Sequence, residues 1–194
     1  ELRQRLAIGD SAACLDRAAD LMETRRGEII ALCIREAGKT IGDAIAELRE
    51  AVDFCRYYAA RARAEFGAPL MLPGPTGERN QLLMQGRGVF VCISPWNFPL
   101  AIFMGQVSAA LAAGNCVIAK PAEQTPLVAA FAARLIHLAG VPADAFHLLP
   151  GDGETGAMLV RHKDVAGVAF TGSADAARSI NRALAAKDDP IVPL

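Results

Sequence analysis

The sequence predicts an α/β fold in which a group of helices precedes a parallel β-sheet with helices on both of its faces. Apolar side chains recur at helical spacing through the first third of the 194 residues. From Gly88 onward, short apolar runs alternate with helical stretches through short links, which is the pattern of a parallel sheet. Between these regions, residues 68–87 are rich in turn residues and follow neither pattern, so they predict a small β flap.

The composition favours a folded protein that acts on a small molecule. Hydrophobic residues make up 53% of the chain and the formal charge is −1, so disorder, a nucleic-acid surface and a polybasic membrane patch are not expected. The five cysteines form no CxxC pair and no metal-ligand spacing with the histidines. We therefore expect reduced, buried thiols, no bound metal and a cytoplasmic location.

The stretch between Arg87 and Lys120 carries no charge and is long enough in principle to cross a bilayer. Pro95 and Pro99 would break such a helix, so a buried strand–turn–helix–strand is preferred and no transmembrane segment is expected. The chain opens at Glu1 without Met and without an apolar signal-peptide core. We expect a portion of a longer protein.

The N-terminal region, residues 1–67, predicts three helices that belong with the nucleotide-binding sheet. Asp10 or Ser11 is expected to cap the first helix, and the second is expected to end at Gly38. The third keeps one apolar stripe, typical of core packing, until it ends near Gly67.

The flap, residues 68–87, predicts a hairpin. Its turn residues lie between the short apolar runs 70–72 and 82–84. Because a lone hairpin is marginally stable in water, an arm of this kind is expected to pair with another subunit.

The core region, residues 88–194, predicts alternating strands and helices whose ligand lies at the carboxyl ends of the strands. Strands are predicted at 89–93, 116–119, 146–149 and 165–170, with a last strand opening at Ile191. Helices are predicted at 100–113 and 125–139, followed by one ending near His162 and one ending near Ala186.

Two of the loops at strand ends fit the ribose and phosphates of a nucleotide. Lys120 can donate to ribose oxygens, and Glu123 can accept from both ribose hydroxyls while repelling a 2′-phosphate, which favours NAD over NADP. The alternative is a surface ion pair. In Thr171-Gly172-Ser173, backbone N–H groups and the Ser173 hydroxyl can face a phosphate, although such a segment is often only a helix cap.

The turn Ser94–Asn97 ends the first core strand and presents a carboxamide. The Asn97 amide can donate to a developing oxyanion, whereas the alternative is a turn Asn that bonds its own backbone. The loop at 151–156 is rich in glycine and permits close passage of adenine or phosphate, or is simply a turn; it does not match GxGxxG.

The segments PWNFP, KPAE and FTGS, in this order and spacing, resemble the aldehyde dehydrogenase superfamily. The resemblance covers nearly the whole chain and is densest over 88–173. Three longer segments resemble more specifically the L-glutamate γ-semialdehyde dehydrogenase module of the bifunctional proline utilisation A enzymes. They are CISPWNFPLAIFMGQVSAALAAGN, AKPAEQTPL and LPGPTGE. This implies an incomplete Rossmann-like NAD-binding domain whose flap serves oligomerisation.

The resemblance also implies a role for individual residues. Asn97 would be the side-chain donor of the oxyanion hole, Lys120 and Glu123 would hold the adenosine ribose, and Ser173 would hold the pyrophosphate. Glu50 and Phe98 would lie on the substrate side. The remaining cofactor-side residues would be Ile93, Ser94, Pro95, Trp96, Gly153, Gly156, Phe170 and Gly172.

The activity so implied is oxidation of an aldehyde to a carboxylate with NAD, through a cysteine thiohemiacetal and thioester. L-Glutamate γ-semialdehyde, in proline catabolism, is the expected substrate, and the full-length enzyme is expected to be a homo-oligomer. The family's nucleophilic Cys and general-base Glu would lie beyond Leu194, so the chain alone is expected to be inactive. Where the family often has T-x-x-G after FTGS, this chain has Ala174-Asp175-Ala176-Ala177.

Two further expectations depend on the rest of the protein. FAD is expected only if a proline dehydrogenase domain is present elsewhere, in which case the protein could lie against the inner membrane. The alternatives are a non-catalytic NAD-binding or subunit-contact fragment and a dehydrogenase of another semialdehyde or of a fatty aldehyde.

Overall fold

The computed structural model describes residues 8–188 and 190–194. Expectations for the opening residues 1–7, including the missing signal peptide and the start of the N-terminal region, lie outside this part. Within it, the elements are α1 Ile8–Thr24, α2 Arg26–Ala37, α3 Ile41–Phe66, β1 Leu70–Leu72, β2 Asn80–Leu82, β3 Val89–Ile93, α4 Ala101–Ala112, β4 Cys116–Lys120, α5 Pro126–Leu138, β5 Phe146–Leu148, α6 Gly153–Arg161, β6 Val165–Phe170 and α7 Ala174–Ala185.

The first three helices begin and end as local chemistry dictates, with one correction. α2 ends at Gly38, whose φ of 65° is the left-handed conformation that glycine adopts without strain. Thr40 caps α3 by accepting a hydrogen bond from the Asp43 N–H at 3.1 Å. The predicted cap at Asp10 or Ser11 is wrong, because the chain is already helical from Ile8 and the Ser11 hydroxyl donates instead to the Leu111 carbonyl at 2.7 Å.

The predicted parallel sheet is confirmed, with the strand order β5-β4-β3-β6. In register, Ile93 at the end of β3 is opposite Lys120 of β4 and Phe170 of β6, so these three strands end together.

The prediction of a strand opening at Ile191 is wrong. The segment lies beside β6 with one backbone bond, from the Val168 N–H to the Pro193 carbonyl, and Pro193 has no N–H to continue a ladder.

Helices cover both faces of the sheet, as predicted. On one face α4 and α5 lie against the strands, and α1, α2 and α3 pack over them to form the main hydrophobic core. On the other face α6 and α7 pack against β3 and β6 with a smaller core. No helix in the described part of the chain has an apolar stretch long enough to cross a membrane.

The flap forms the predicted hairpin, in which β1 and β2 pair antiparallel. It leaves apolar side chains in water on both strands and just after them, because a two-stranded ribbon has no second layer to bury them. The exposed side chains are Leu70, Met71, Leu72, Leu82, Leu83 and Met84.

Candidate functional site

The three loops predicted to share a ligand follow adjacent strands and meet at one edge of the sheet. The Ser94 N–H, after β3, donates to the Lys120 carbonyl at 3.2 Å. The Thr171 N–H, after β6, donates to the Ile93 carbonyl at 3.1 Å. We call the loops 94–97, 120–123 and 171–173 the carboxyl edge of the sheet.

Beside this edge, a cavity of about 210 Å³ opens between α6 and α7. Five residues predicted for the cofactor line it: Ile93, Lys120, Gly153, Gly156 and Phe170. The other lining residues were missed by sequence reasoning, although they recur at three- and four-residue spacing on two helical faces. They are Ala157, Val160, Arg161, Ala176, Ser179, Ile180 and Ala183.

Lys120 is a buried cation at the cavity wall, with 5% of its surface exposed. Its Nζ donates to the Pro121 carbonyl at 3.0 Å. Burial lowers the pKa of Lys120, and the nearby carboxylates of Glu123 and Asp152 partly oppose that shift. Glu123 is exposed, and its Oε1 accepts from Nε2 of Gln124 at 3.4 Å. The roles of Lys120 and Glu123 at a ribose stay predictions.

The β6–α7 loop presents a capped helix N-terminus. Ser173 caps α7, because its Oγ accepts from the Ala176 N–H at 3.2 Å. The hydroxyl proton of Ser173 is left to donate, so cap and phosphate ligand are compatible roles. Gly172 lies against the Phe170 ring: a Cβ at that position would lie 2.6 Å from Cζ of Phe170, so any larger residue would require the ring to shift.

The β3–α4 turn buries one polar group and exposes another. Ser94 is buried, and its Oγ has no hydrogen-bond partner among the residues described. Trp96 and Asn97 are exposed beyond the half-buried Pro95. In the described part of the chain the Asn97 carboxamide makes no hydrogen bond, so the alternative of a turn Asn satisfied by its own backbone does not hold.

The arrangement fits an extended nucleotide. Gly156 faces the cavity: a Cβ there would lie in van der Waals contact with the Lys120 Cδ at 3.5 Å and would project into the space. Buried polar atoms without partners are rare in folded proteins, and the Ser94 Oγ is one of them at this edge. Lys120, Glu123 and Ser173 add donors and acceptors suited to a ribose and a phosphate.

Sequence reasoning missed two side chains that hold the carboxyl edge together. Gln106 of α4 donates through Nε2 to the Ile93 carbonyl and to Oγ1 of Thr171, each at 3.2 Å, and so joins the ends of β3 and β6. Glu47 of α3 reaches the start of α4. A charge in the apolar stripe of α3, one residue before Leu48, is the signal that could have identified Glu47.

The two residues predicted for the substrate lie outside the cavity. Glu50 is exposed on α3, in an open depression of about 540 Å³ lined by side chains of that helix. Phe98 follows Asn97, and its ring centroid lies 3.8 Å from Nζ of Lys39. Their role in substrate binding stays a prediction.

Comparison with known proteins gives a consistent result. The profile described as Aldehyde dehydrogenase family matches residues 4–192. The bifunctional protein PutA of Rhizobium meliloti is 53% identical over 94% of this chain and 14% of its own length. The 1-pyrroline-5-carboxylate dehydrogenase of a Geobacillus species is 42% identical over 84% of this chain and 32% of its own length.

Solved structures agree with these sequence matches. A Bradyrhizobium japonicum proline utilization A structure matches 98% of this chain and 20% of its own, with a TM-score of 0.96 and 64% identity. A Thermus thermophilus 1-pyrroline-5-carboxylate dehydrogenase matches 96% of this chain and 37% of its own, with a TM-score of 0.90 and 38% identity. The chain therefore spans less than half the length of these relatives.

Proposed function

This chain belongs to the aldehyde dehydrogenase family, and we propose that it forms the NAD-binding part of an enzyme that oxidises L-glutamate γ-semialdehyde to L-glutamate. The observation that carries the proposal is the exposed Asn97 carboxamide, unbonded among the described residues, at the sheet edge that also borders the cavity of about 210 Å³. The substrate follows from the names of the relatives, which are PutA and 1-pyrroline-5-carboxylate dehydrogenases.

In this proposal NAD supplies the hydride acceptor, and the chain's residues bind and orient it. The cavity between α6 and α7, which Gly153 and Gly156 line, would receive the adenine side. Lys120 donates to the ribose, and Glu123 accepts from its hydroxyls and repels the 2′-phosphate of NADP. The Ser173 hydroxyl and the N-terminus of α7 receive the pyrophosphate, since helix N-termini favour negative charge.

Asn97 acts on the reacting carbonyl. When the family's cysteine nucleophile, from outside residues 1–194, adds to the aldehyde carbon, negative charge develops on the carbonyl oxygen. The Asn97 amide N–H donates to that oxygen, and such a donor contributes about 3 kcal/mol to the transition state. The family's general-base glutamate, also outside these residues, then activates the water that releases the acid.

The test is Asn97→Ala in the full-length protein, together with Asn97→Asp, which keeps the size but removes the donor. We expect kcat to fall about 10²- to 10³-fold in both, with the Kd for NAD nearly unchanged. Asn181→Ala is the matched control, because Asn181 is also an exposed amide but lies on α7. An unchanged kcat in Asn97→Ala would remove this residue from the proposed role.

The substrate is tested by comparing kcat/KM for L-glutamate γ-semialdehyde with kcat/KM for succinate semialdehyde. A higher kcat/KM for succinate semialdehyde would show that the proposed substrate is wrong, while the proposed oxidation of an aldehyde to an acid would stand. If the full-length protein binds NAD but oxidises no aldehyde, the non-catalytic alternative takes its place.

A role in subunit contact is favoured in addition by the flap, whose apolar side chains are exposed on both strands. We propose that they pack against a second copy of the protein. Replacing exposed Leu83 with Lys is expected to dissociate the oligomer, as measured by light scattering after size-exclusion chromatography. An unchanged mass would count against this contact.

A further inference from the structure

A buried carboxylate lies behind the turn that carries Asn97. Glu47, in the middle of α3, is 1% exposed. Its Oε1 accepts from the backbone N–H of Leu100 at 2.8 Å and of Ala101 at 3.3 Å. α4 has no side-chain cap of its own at Leu100, so a residue 53 positions earlier caps this helix. The negative charge also suits the positive end of the α4 dipole.

Lys39 completes the arrangement from the other side of the carboxylate. Its Nζ lies 3.1 Å from Oε2 of Glu47 and 3.8 Å from the ring centroid of Phe98. A cation at that distance from an aromatic face is attracted to it. The residue directly after Asn97, Phe98, is therefore in contact with Lys39. The amide three residues after Asn97, that of Leu100, is bound to Glu47.

Two helices of the same layer allow a comparison of a buried cap with a half-buried one. Glu36 of α2 caps α5, accepting from the N–H groups of Leu127 at 2.6 Å and Val128 at 2.8 Å. Among the residues described, Glu36 forms no ion pair, whereas Glu47 is buried with a cation. Buried charges persist in folded proteins only when paired and hydrogen-bonded, so the pair at α4 is a specialised cap.

We propose that Glu47 and Lys39 are positioning residues that fix the Asn97 carboxamide where the oxyanion forms. The pair contacts the chain at Phe98 through Lys39 and at Leu100 and Ala101 through Glu47, and so holds the exposed turn to the buried start of α4. This inference rests on the proposed function, since it assigns the pair an effect on turnover that passes through Asn97.

The test begins with Glu47→Gln in the full-length enzyme. Gln keeps an acceptor for the α4 amides but loses the charge that holds Lys39. A shift of a reacting group by about 1 Å can cost about 10²-fold in rate, so we expect kcat to fall about 10- to 10²-fold. The KM for NAD is expected to stay within about twofold, because a loss confined to the transition state leaves ground-state binding intact.

The decisive measurement is kcat of the double variant Glu47→Gln/Asn97→Ala. If Glu47 acts through Asn97, the substitution at 47 has almost no further effect once the carboxamide is gone. A role in stability alone would lower activity by the same factor in both backgrounds. Equal factors would therefore overturn the inference.

Glu36→Gln is the matched control, since it removes the same charge from a helix cap of the same layer. We expect it to leave kcat unchanged. If Glu47→Gln does not fold, Lys39→Gln replaces it, because the Lys39 side chain is 12% exposed and its loss leaves the cap bonded. An unchanged kcat in the folded variant overturns the inference.

The two proposals fail in distinguishable ways. If Asn97→Ala itself leaves kcat unchanged, the proposed role of the carboxamide fails and the positioning role fails with it. If Asn97→Ala lowers kcat while Glu47→Gln does not, the proposed function stands and the positioning role alone is wrong.

Discussion

The two helical layers of the sheet differ in what lies above them. On one face, α4 and α5 are covered by α1, α2 and α3, and these five helices share a continuous core with that face of the strands. We call this whole side of the sheet the covered layer and the side of α6 and α7 the uncovered layer. Among the described residues, α6 and α7 share their core with the strands and with Val192 of the C-terminal segment, and no other helix contributes to it; a cavity of about 210 Å³ opens between the two helices.

The two layers therefore have different tasks: one holds the carboxyl edge of the sheet in place, and the other leaves space for a ligand. The covered layer supplies groups that hold the carboxyl edge, including the Glu47 carboxylate and the Gln106 carboxamide. The uncovered layer supplies small side chains and open space, which a cofactor needs for entry. If the division is real, removing apolar side chains costs more stability in the first layer, and filling the cavity in the second weakens cofactor binding.

The largest expected effect is a loss of stability in the covered layer. Leu135 of α5 is 2% exposed and Leu159 of α6 is 8% exposed, so Leu→Ala at these positions makes a chemically matched pair. We expect the free energy of unfolding to fall by about 4 kcal/mol for Leu135→Ala and by about 2 kcal/mol for Leu159→Ala, because a closed core collapses less around a cavity. Urea denaturation followed by circular dichroism measures both, and equal losses would contradict the division.

The next effect is on cofactor binding in the uncovered layer. Gly156→Val places a branched side chain in the cavity, so the Kd for NAD is expected to rise about tenfold, or about 1.4 kcal/mol. Gly27→Ala in α2 is the control, since a Cβ there meets nothing within 4 Å. Isothermal titration calorimetry gives both constants, and an unchanged Kd for Gly156→Val would remove the cavity from the cofactor site.

A smaller effect is expected from pH. Burial lowers the pKa of Lys120 below its ordinary 10.5. As pH rises through the lowered pKa, the Lys120 ammonium loses its proton, and the ribose then loses a charged hydrogen-bond donor. NAD affinity should therefore fall in that pH range, and should fall less in Lys120→Arg, which stays charged. Affinity that is flat up to 10.5 would contradict the role.

The free energy of unfolding changes in the opposite direction. Between the lowered pKa and 10.5 the unfolded chain binds more protons than the folded one, so the contribution of Lys120 to stability increases with pH.

The smallest expected effect is the absence of a reaction at the buried thiols of the covered layer. Burial raises the pKa of Cys33, Cys55 and Cys92 to about 12, so almost no thiolate forms at mildly alkaline pH. Iodoacetamide should leave the three unmodified in the native protein and modify them in urea, as read by peptide mass spectrometry. Rapid native labelling of Cys92 would show that this layer opens.

The sequence predicted most of the fold because its signals are local. The strand Val165–Phe170 was predicted with the bounds observed, and the loops after β3, β4 and β6 were predicted to share an edge, since parallel strands end together. The predictions that failed were at Asp10, Ser11 and Ile191. At Ser11 and Ile191 the outcome depended on a neighbour remote in sequence, Leu111 and β6 respectively, whereas Asp10 failed because α1 is already helical from Ile8.

The residues of the candidate site also fall into those with a local sequence signal and those that depend on a remote neighbour. Asn97, Lys120, Glu123 and Ser173 could be selected from the sequence, because each lies in a loop that follows a recognisable strand. Gln106 could not, because it is on a helix and bonds a strand end 13 residues earlier. A charge beside the apolar stripe of α3 marks Glu47 as unusual, but its partner, the Leu100 amide, is 53 residues away and could not be predicted.

By itself, then, the sequence determined the order of strands and helices, the polar groups after each strand and the resemblance to a family, since these depend on neighbours along the chain. Only the tertiary structure decided which charges are buried, which carboxamides stay unbonded and where space remains. Those properties depend on packing between segments far apart in sequence, as when α3 places the Glu47 carboxylate against the Leu100 amide.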